Sequence, residues 1–264
     1  MCIPVTLVLA GSDPTGGAGI HADIEALASM GCHAACAITC IAVQDTHDVK
    51  HIAPLDAHLF IEQSRAILED MPVATIKIGL LGSLDIIHAI HALLNDYPDI
   101  PVIMDPILRA GGGTRICDDS MIAAMKSLVF PRVTVLTPNS PEARQLAPNA
   151  GSLDACGMAL LDSGCEYVLV TGTHEHTDDV TNLLYGNHRR LEAFSWKRLP
   201  DHYHGSGCTL SASIAGLLAH GHEPMSALRE AQQYTWQTLK HGYRAGHGQM
   251  LPNRLFWNGR DVAE

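Results

Sequence analysis

The feature that most constrains the fold is a repeated alternation of short apolar runs with longer segments of helical periodicity. The first run, Val5–Gly11, is apolar except for Thr6 and ends in glycine, which is typical of a buried strand in a parallel sheet. A helix is predicted at residues 17–30 and a second strand at 32–43. This alternation predicts an α/β fold, with a mostly parallel sheet covered by helices on both faces. We expect a single domain over residues 1–264.

The rest of the chain shows the same alternation of strands and helices. Its length and 47% hydrophobic content suffice to bury the core of such a fold. Further helices are predicted at residues 55–68, 84–94, 120–128, 140–146 and 153–163, with two long helices at the end. Further strands are predicted at residues 74–79, 101–105, 133–136 and 167–171, and a hairpin at 183–185 and 190–196.

The charge of the chain excludes some partners. Its formal net charge is -11, which does not attract nucleic acid or an anionic membrane surface. No apolar run reaches the ~18 residues that a membrane span needs. The first five residues lack the basic region of a signal peptide. We therefore expect a soluble, cytoplasmic protein.

Eight cysteines and sixteen histidines raise the question of disulfides or a metal centre. No Cys-x-x-Cys is present, and Cys32, Cys36 and Cys40 lie in an apolar segment, where free cysteine packs as a small hydrophobic residue. The histidine pairs at 174–176 and 202–204 have no third partner at a spacing typical of zinc. Neither disulfides nor a zinc site is predicted.

Polar and glycine-rich segments follow the predicted strands, where ligands bind in parallel sheets. Residues 11–19 (GSDPTGGAG) contain four glycines and predict a loop whose backbone approaches a small ligand. This loop is neither a P-loop nor a dinucleotide fingerprint, because the required lysine and glycine spacings are absent. Gln44 directly follows the strand predicted at 32–43, and its carboxamide can donate to and accept from an aminopyrimidine edge.

Acidic side chains follow two further strands. Asp105 ends the strand predicted at 101–105, and a carboxylate there suits a hydrated magnesium ion. Asn139 and Glu142 are three residues apart and can face one site across the first turn of a helix. The same pair also fits a capping arrangement at that helix, and the sequence leaves both interpretations open.

A glycine-rich segment also precedes a long apolar helix. Gly205, Ser206 and Gly207 would leave backbone N–H groups at the helix N-terminus free to bind an anion. Cys208 follows, and because helix N-termini depress thiol pKa values we expect it to act as a base toward a hydroxyl. The alternative is a buried cysteine in an ordinary helix. Together, the strand-end features indicate phosphoryl transfer from a nucleotide to a small alcohol.

Several segments, in order along the whole chain, carry a family resemblance: AGSDPTGGAGIHAD, AVQDT, KIGLLGS, MDPI, TPNSPEA, HGSGCTLSASIA and GHG. The sequence resembles the hydroxymethylpyrimidine/phosphomethylpyrimidine kinases of thiamine biosynthesis, in the ribokinase-like superfamily. The resemblance implies a three-layer α/β/α sandwich, ATP as co-substrate, Mg²⁺ and a homodimer. Most of the superfamily has aspartate where this chain has Cys208.

The resemblance also implies roles for individual residues. Gln44 would hold the aminopyrimidine, in a pocket lined by Gly11, Ala18, Asp23, Val43, Leu80 and Ile107. The phosphate side would comprise an anion hole and base at Gly205, Ser206, Gly207 and Cys208, magnesium ligands at Asp105 and Glu142, and nucleotide contacts at Asn139 and Thr171.

The sequence departs from the family at two cationic positions. The family usually has a lysine where this chain has Thr171, and a second lysine in a flexible loop where it has Gly111. Arg109 or Arg115 could substitute. Without such a charge we expect lower catalytic efficiency, including in the second phosphorylation, whose substrate already carries a phosphate. Two alternative functions remain: a pyridoxine/pyridoxal kinase, and a non-catalytic pyrimidine-binding protein.

Overall fold

One sheet organises the protein, described in a computed structural model over residues 3–258. Its nine strands are β1 (Val5–Ser12), β2 (His33–Gln44), β3 (Val49–Pro54), β4 (Val73–Ile78), β5 (Val102–Met104), β6 (Val135–Leu136), β7 (Tyr167–Val170), β8 (Asp179–Gly186) and β9 (Arg189–Lys197). They are arranged in the order β3-β2-β1-β4-β5-β6-β7-β8-β9.

The centre of the sheet is parallel and its edges are antiparallel. β1 pairs in parallel with β2 and β4, and parallel pairing continues through β5, β6 and β7. β3 is antiparallel to β2, and the β8–β9 hairpin adds two antiparallel strands beyond β7. The mostly parallel sheet is therefore confirmed. β3 was not predicted, because its sequence VKHIAP is largely exposed and lacks an apolar face.

Eight α-helices cover the two faces of the sheet. They are α1 (Gly19–Ser29), α2 (Ala57–Asp70), α3 (Leu84–Asp96), α4 (Asp119–Ala124), α5 (Ser140–Leu146), α6 (Leu153–Asp162), α7 (Ser206–Ala219) and α8 (Pro224–Lys240). One hydrophobic core lies between the sheet and α2 to α6, and a second lies between the sheet and α1, α7 and α8. The predicted three-layer sandwich is confirmed.

The way each helix begins decides which N-termini remain free. Five of these helices, α2 to α6, begin at a polar side chain that accepts a hydrogen bond from a backbone N–H of the first turn. Helices α1, α7 and α8 have no capping side chain, and among these three α7 has a glycine N-cap, Gly205, with φ of 86°. A left-handed conformation of this kind favours glycine. The first N–H groups of α7 are therefore left for another acceptor.

The cysteines pack as predicted in the described part of the chain. Seven of the eight are free thiols, six of them buried, while Cys36 is half-buried and Cys2 lies outside the described residues. Within residues 3–258, no group of three or more His, Cys, Asp or Glu side chains is arranged to hold a metal ion. No helix in that range is both long enough and apolar enough to cross a membrane.

Candidate active site

A cavity of about 1190 Å³ lies at the carboxyl ends of the parallel strands. The loops after β1, β2, β5, β6 and β7 and the N-terminus of α7 contribute to it. Most of the predicted residues line it: Gly11, Ala18, Gln44, Leu80, Asp105, Ile107, Asn139, Glu142, Thr171, Gly205, Ser206, Gly207 and Cys208. Segments that are up to about two hundred residues apart in sequence therefore share one site.

Two residues of the implied pyrimidine pocket lie elsewhere. Val43 is 52% exposed, because neighbouring residues of a strand point to opposite sides and only Ala42 and Gln44 face the cavity. Asp23 is fully buried in α1 and does not line the cavity. Its carboxylate oxygens lie 2.8 and 2.9 Å from Nζ of the buried Lys77, so Asp23 forms an internal ion pair.

The N-terminus of α7 packs against the site without room for side chains. A Cβ on Gly205 would lie 1.8 Å from the carbonyl oxygen of Gly17 in the first glycine loop. A Cβ on Gly207 would lie 2.9 Å from Oδ2 of Asp105. The two glycines therefore let the helix N-terminus approach both a second loop and a carboxylate.

The buried side chain of Arg254 holds the first glycine loop against the start of α7, and the sequence did not predict this role. Its buried guanidinium donates to the carbonyl of Gly17, to Oγ1 of Thr209 at 2.9 Å and to Glu25 at 3.0 Å. The arginine thus joins the glycine loop, α1 and α7. No motif around residue 254 could have indicated this role, because its partners are distant in sequence.

Asp105 and Glu142 are two buried carboxyl groups on the cavity wall. Glu142 accepts backbone hydrogen bonds from Leu108 at 3.2 Å and Asn139 at 3.0 Å, and Asn139 Oδ1 accepts from the Glu142 N–H at 2.9 Å. The capping alternative for Asn139 and Glu142 is therefore realised, and both residues still face the cavity.

The electrostatics of this pair favour an added cation. Burial raises the pKa of Asp105 to about 6, although the charge of Lys77 opposes the shift. Burial, together with the charge of Asp105, raises the pKa of Glu142 to about 8. Two buried carboxylates keep both charges only when a cation compensates them. Two oxygen ligands with room for water suit Mg²⁺, which keeps several waters in its shell.

Cys208 lies at the helix N-terminus, but its thiol does not have the predicted acidity. The side chain is buried, and burial raises its pKa to about 12, with the nearby carboxylates of Asp23 and Asp105 adding to the shift. The positive charge of Lys77 only partly opposes this. The expected depressed pKa is therefore wrong, because desolvation outweighs the helix N-terminus.

A pair of residues beside Gln44 was also missed. His204 Nε2 lies 2.7 Å from Asp13 Oδ2 and 2.8 Å from Gln44 Nε2. All three residues line the cavity. In the sequence, His204 was weighed only as part of a zinc-binding histidine pair. Its position directly before the glycine segment at 205–207 was the one local feature that could have placed it in the site.

A glycine flap at residues 109–115 lies over the same end of the cavity. Asp48 accepts a hydrogen bond from Thr114 at 2.7 Å, which holds the flap near the end of β2. Arg109 lines the cavity, and its guanidinium makes a single 3.3 Å contact with the Gly113 carbonyl. Arg115 instead donates to the Cys117 carbonyl and to a carboxylate on α4, outside the cavity.

Comparison with known proteins gives a consistent result. The family "Phosphomethylpyrimidine kinase" matches residues 13–253. A hydroxymethylpyrimidine/phosphomethylpyrimidine kinase from Synechococcus elongatus is 34% identical over 258 residues, covering 94% of this chain and 96% of the relative. The enzyme of the same name from Escherichia coli is 30% identical over 249 residues, covering 92% and 94%.

Solved structures share the whole fold. An ADP complex of Bacillus subtilis pyridoxal kinase matches with a TM-score of 0.88 and 25% identity, over 96% of this chain and 98% of the other. A phosphomethylpyrimidine kinase from Clostridium difficile matches with a TM-score of 0.77 and 28% identity, over 90% and 100%.

Proposed function

The chain belongs to the phosphomethylpyrimidine kinase family, and we propose that it uses ATP to phosphorylate 4-amino-5-hydroxymethyl-2-methylpyrimidine and then its monophosphate. The product, a diphosphate, serves thiamine biosynthesis. The family match and relatives at 30–34% identity support this substrate. The structural observation that carries the proposal is that Gln44, two buried carboxylates and the free N-terminus of α7 share one cavity.

Each part of the cavity has a proposed task. Gln44 binds the polar edge of the pyrimidine, and the N–H groups at Gly205–Gly207 receive the transferred phosphoryl group. Asp105 and Glu142 would hold Mg²⁺, which when bound neutralises phosphate charge. Asn139 and Thr171 would contact the nucleotide phosphates; a backbone bridge places these two residues side by side at the ends of β6 and β7.

The two transfers differ in their proton chemistry. In the first, the hydroxymethyl oxygen bonds to the γ-phosphorus, the bond to the ADP oxygen breaks, and the hydroxyl proton must leave. We propose the thiolate of Cys208 as its acceptor. The thiol's own proton first passes to solvent water in the cavity that Cys208 lines, and the hydroxyl proton then restores the thiol. In the second transfer the attacking atom is an oxygen of a phosphate monoester, which is largely ionised near neutral pH. The second transfer therefore needs no base.

The second transfer needs a cation beside the substrate phosphate. Neither Thr171 nor Gly111 can supply one. Of the two candidate arginines, Arg109 lines the cavity and is bound only weakly, whereas Arg115 is held by other partners. We therefore assign the phosphate contact to Arg109.

Two other functions are less well supported. Pyridoxal kinases share the fold, but the relatives that are 30–34% identical are pyrimidine kinases. A non-catalytic binding protein would have no use for buried carboxylates beside a glycine-lined helix N-terminus. Both remain outcomes of the experiment below.

We also propose that the protein acts in the cytoplasm, as one kinase domain over residues 1–264 that forms a homodimer. Ile41 and Val43 are 51% and 52% exposed on β2, next to the edge strand β3, and a second copy would cover them. Light scattering on the parent and on Val43→Lys tests this, since a monomeric parent contradicts it.

A coupled ADP-release assay tests the activity. The parent is given the hydroxymethylpyrimidine, its monophosphate and pyridoxal in turn, with Asp105→Ala as the control. We expect turnover with both pyrimidines and its loss in the control. Preference for pyridoxal would favour the second function, and pyrimidine binding without ADP release would favour the third.

A further inference from the structure

The pair Asp13–His204 is not used by the proposed reaction, although it contacts the pyrimidine-binding residue. One ring nitrogen, His204 Nε2, lies 2.7 Å from Asp13 Oδ2 and 2.8 Å from the carboxamide nitrogen of Gln44. The side chains of His204 and Asp13 are only 12% and 5% exposed. The histidine therefore joins a buried carboxylate to the substrate-binding carboxamide.

The carboxylate determines where the histidine carries its proton. Asp13 accepts hydrogen bonds from the N–H and hydroxyl of Thr15 and from the N–H of Ala18. Burial raises the pKa of Asp13, but the hydrogen bonds from His204 and Thr15 outweigh burial and hold it below its usual value. An ionised carboxylate only accepts, so the contact at 2.7 Å requires an N–H on Nε2.

This proton in turn determines the direction of the carboxamide. A ring nitrogen that carries a proton has no lone pair left to accept a hydrogen bond. The Gln44 atom that faces it must therefore be the oxygen, placed there by a half-turn of the carboxamide, and the single Nε2–H is shared between this oxygen and Asp13 Oδ2. The oxygen and nitrogen of a carboxamide are assigned from such surrounding hydrogen bonds. The NH2 group is then directed away from the imidazole.

We propose that the Asp13–His204 pair sets the direction of the Gln44 carboxamide and thereby the orientation in which the aminopyrimidine ring binds. An aminopyrimidine edge places an N–H donor beside a ring-nitrogen acceptor, so it matches a carboxamide in one direction only. Reversing the carboxamide turns the ring over and carries its hydroxymethyl group away from the α7 N-terminus. Asp13 and His204 are positioning residues, and the inference rests on the proposed function.

Two substitutions and a control separate this role from a purely structural one. His204→Phe keeps a flat ring but removes the N–H, whereas His204→Gln retains a donor. His202→Phe is the matched control, because His202 is exposed and lines the same cavity. We expect His204→Phe to lower kcat more than the calorimetric affinity for the pyrimidine, because a reversed ring binds unproductively. We expect His204→Gln to recover part of kcat and the control to match the parent.

A double-mutant cycle of Gln44→Leu with His204→Phe provides a readout besides activity. We expect the pyrimidine affinity of the double variant to differ by about 2- to 150-fold from the value that the two single variants predict together. This is the range for residues in one hydrogen-bond network. Affinity for a non-hydrolysable ATP analogue should stay unchanged. If the circular dichroism spectrum shows that His204→Phe is unfolded, Asp13→Asn replaces it in the cycle. A neutral amide at position 13 can itself donate a hydrogen bond, so it no longer requires an N–H on His204 Nε2.

The outcomes distinguish the two proposals. Additive effects, or an equal loss in kcat and affinity, would overturn the positioning role while leaving the kinase assignment intact. A parent protein that binds no pyrimidine would overturn the proposed function and this inference with it.

Discussion

A Cβ built on Gly207 would lie 2.9 Å from Oδ2 of Asp105, so the helix N-terminus and the carboxylate leave no space for a side chain between them. Gly207→Val should therefore displace groups that bind the phosphoryl group and its metal. We expect turnover to fall by at least ~10²-fold, the effect of losing one preorganised donor. Gly151→Ala is the control, because a Cβ there meets nothing within 4 Å. Near-parental turnover in Gly207→Val, with the fold intact by circular dichroism, would contradict the proposed anion site.

The two phosphorylations should respond differently to loss of the Cys208 thiol. Cys208→Ala removes the proton acceptor for a hydroxyl, so the first transfer should slow by about 10²–10⁴-fold. The second transfer should be nearly unaffected, because its attacking phosphate oxygen needs no base. Single-turnover rates with each substrate measure this, and Cys208→Asp should retain part of the first activity. Equal losses in both steps would assign Cys208 to packing or phosphate binding instead.

The raised pKa of Glu142 predicts the sign of a pH effect on stability. The pKa of Glu142 is about 8 in the folded protein and about 4.5 in the unfolded chain. At a pH between these two values, the folded protein therefore binds one more proton than the unfolded chain does. This contribution to the free energy of unfolding is present at low pH and is lost as pH rises through about 8. In chelator, the parent should therefore lose stability relative to Glu142→Gln between about pH 5 and about pH 8, as measured by urea unfolding. A pH-independent difference between the two would contradict the shift.

Added magnesium ions should reverse part of that loss. A divalent ion held by Asp105 and Glu142 would compensate the charge of both carboxylates. It should therefore stabilise the parent more at about pH 8, where both are ionised, than at about pH 5. Asp105→Asn should abolish the difference. Equal stabilisation of parent and variant would place the metal elsewhere.

Arg109 should matter only for the phosphorylated substrate. A charge-assisted hydrogen bond to a phosphate from an exposed side chain justifies an increase in KM of about tenfold for the monophosphate in Arg109→Ala. KM for the unphosphorylated alcohol should not change. Arg115→Ala is the matched control in the same flap. An equal effect on both substrates would show that Arg109 only holds the flap in place.

Removing Lys77 should destabilise the protein strongly. Its Nζ and the Asp23 carboxylate are both fully buried and lie 2.8 Å apart, so Lys77→Met leaves an unpaired carboxylate. Such a loss costs about 3–5 kcal/mol of unfolding free energy, whereas Lys77→Met with Asp23→Leu should recover much of it. Urea unfolding of the three variants measures this. If the double variant were less stable than Lys77→Met, compensation of the Asp23 carboxylate would not be the main role of Lys77.

Local patterns predicted the sheet, its helices and most of the cavity wall, because each strand end carries its own signal in a few residues. The contacts that sequence reasoning missed join distant segments. His204 and Asp13 are 191 residues apart, and no periodicity indicates that their loops meet. The acidity of Cys208 was mispredicted for a related reason: its helix position is local, whereas burial depends on every element packed around it.

The bond from Arg254 to Gly17 joins residues 237 positions apart, and this has a consequence for how the protein refolds. Closing so long a loop costs more entropy than forming a local contact, so we expect this contact to form late in folding. Partly folded states can therefore contain a native-like sheet and still lack a working α7 N-terminus. During refolding, recovery of turnover should lag behind recovery of secondary structure, which makes enzyme activity a reporter of the last assembly step.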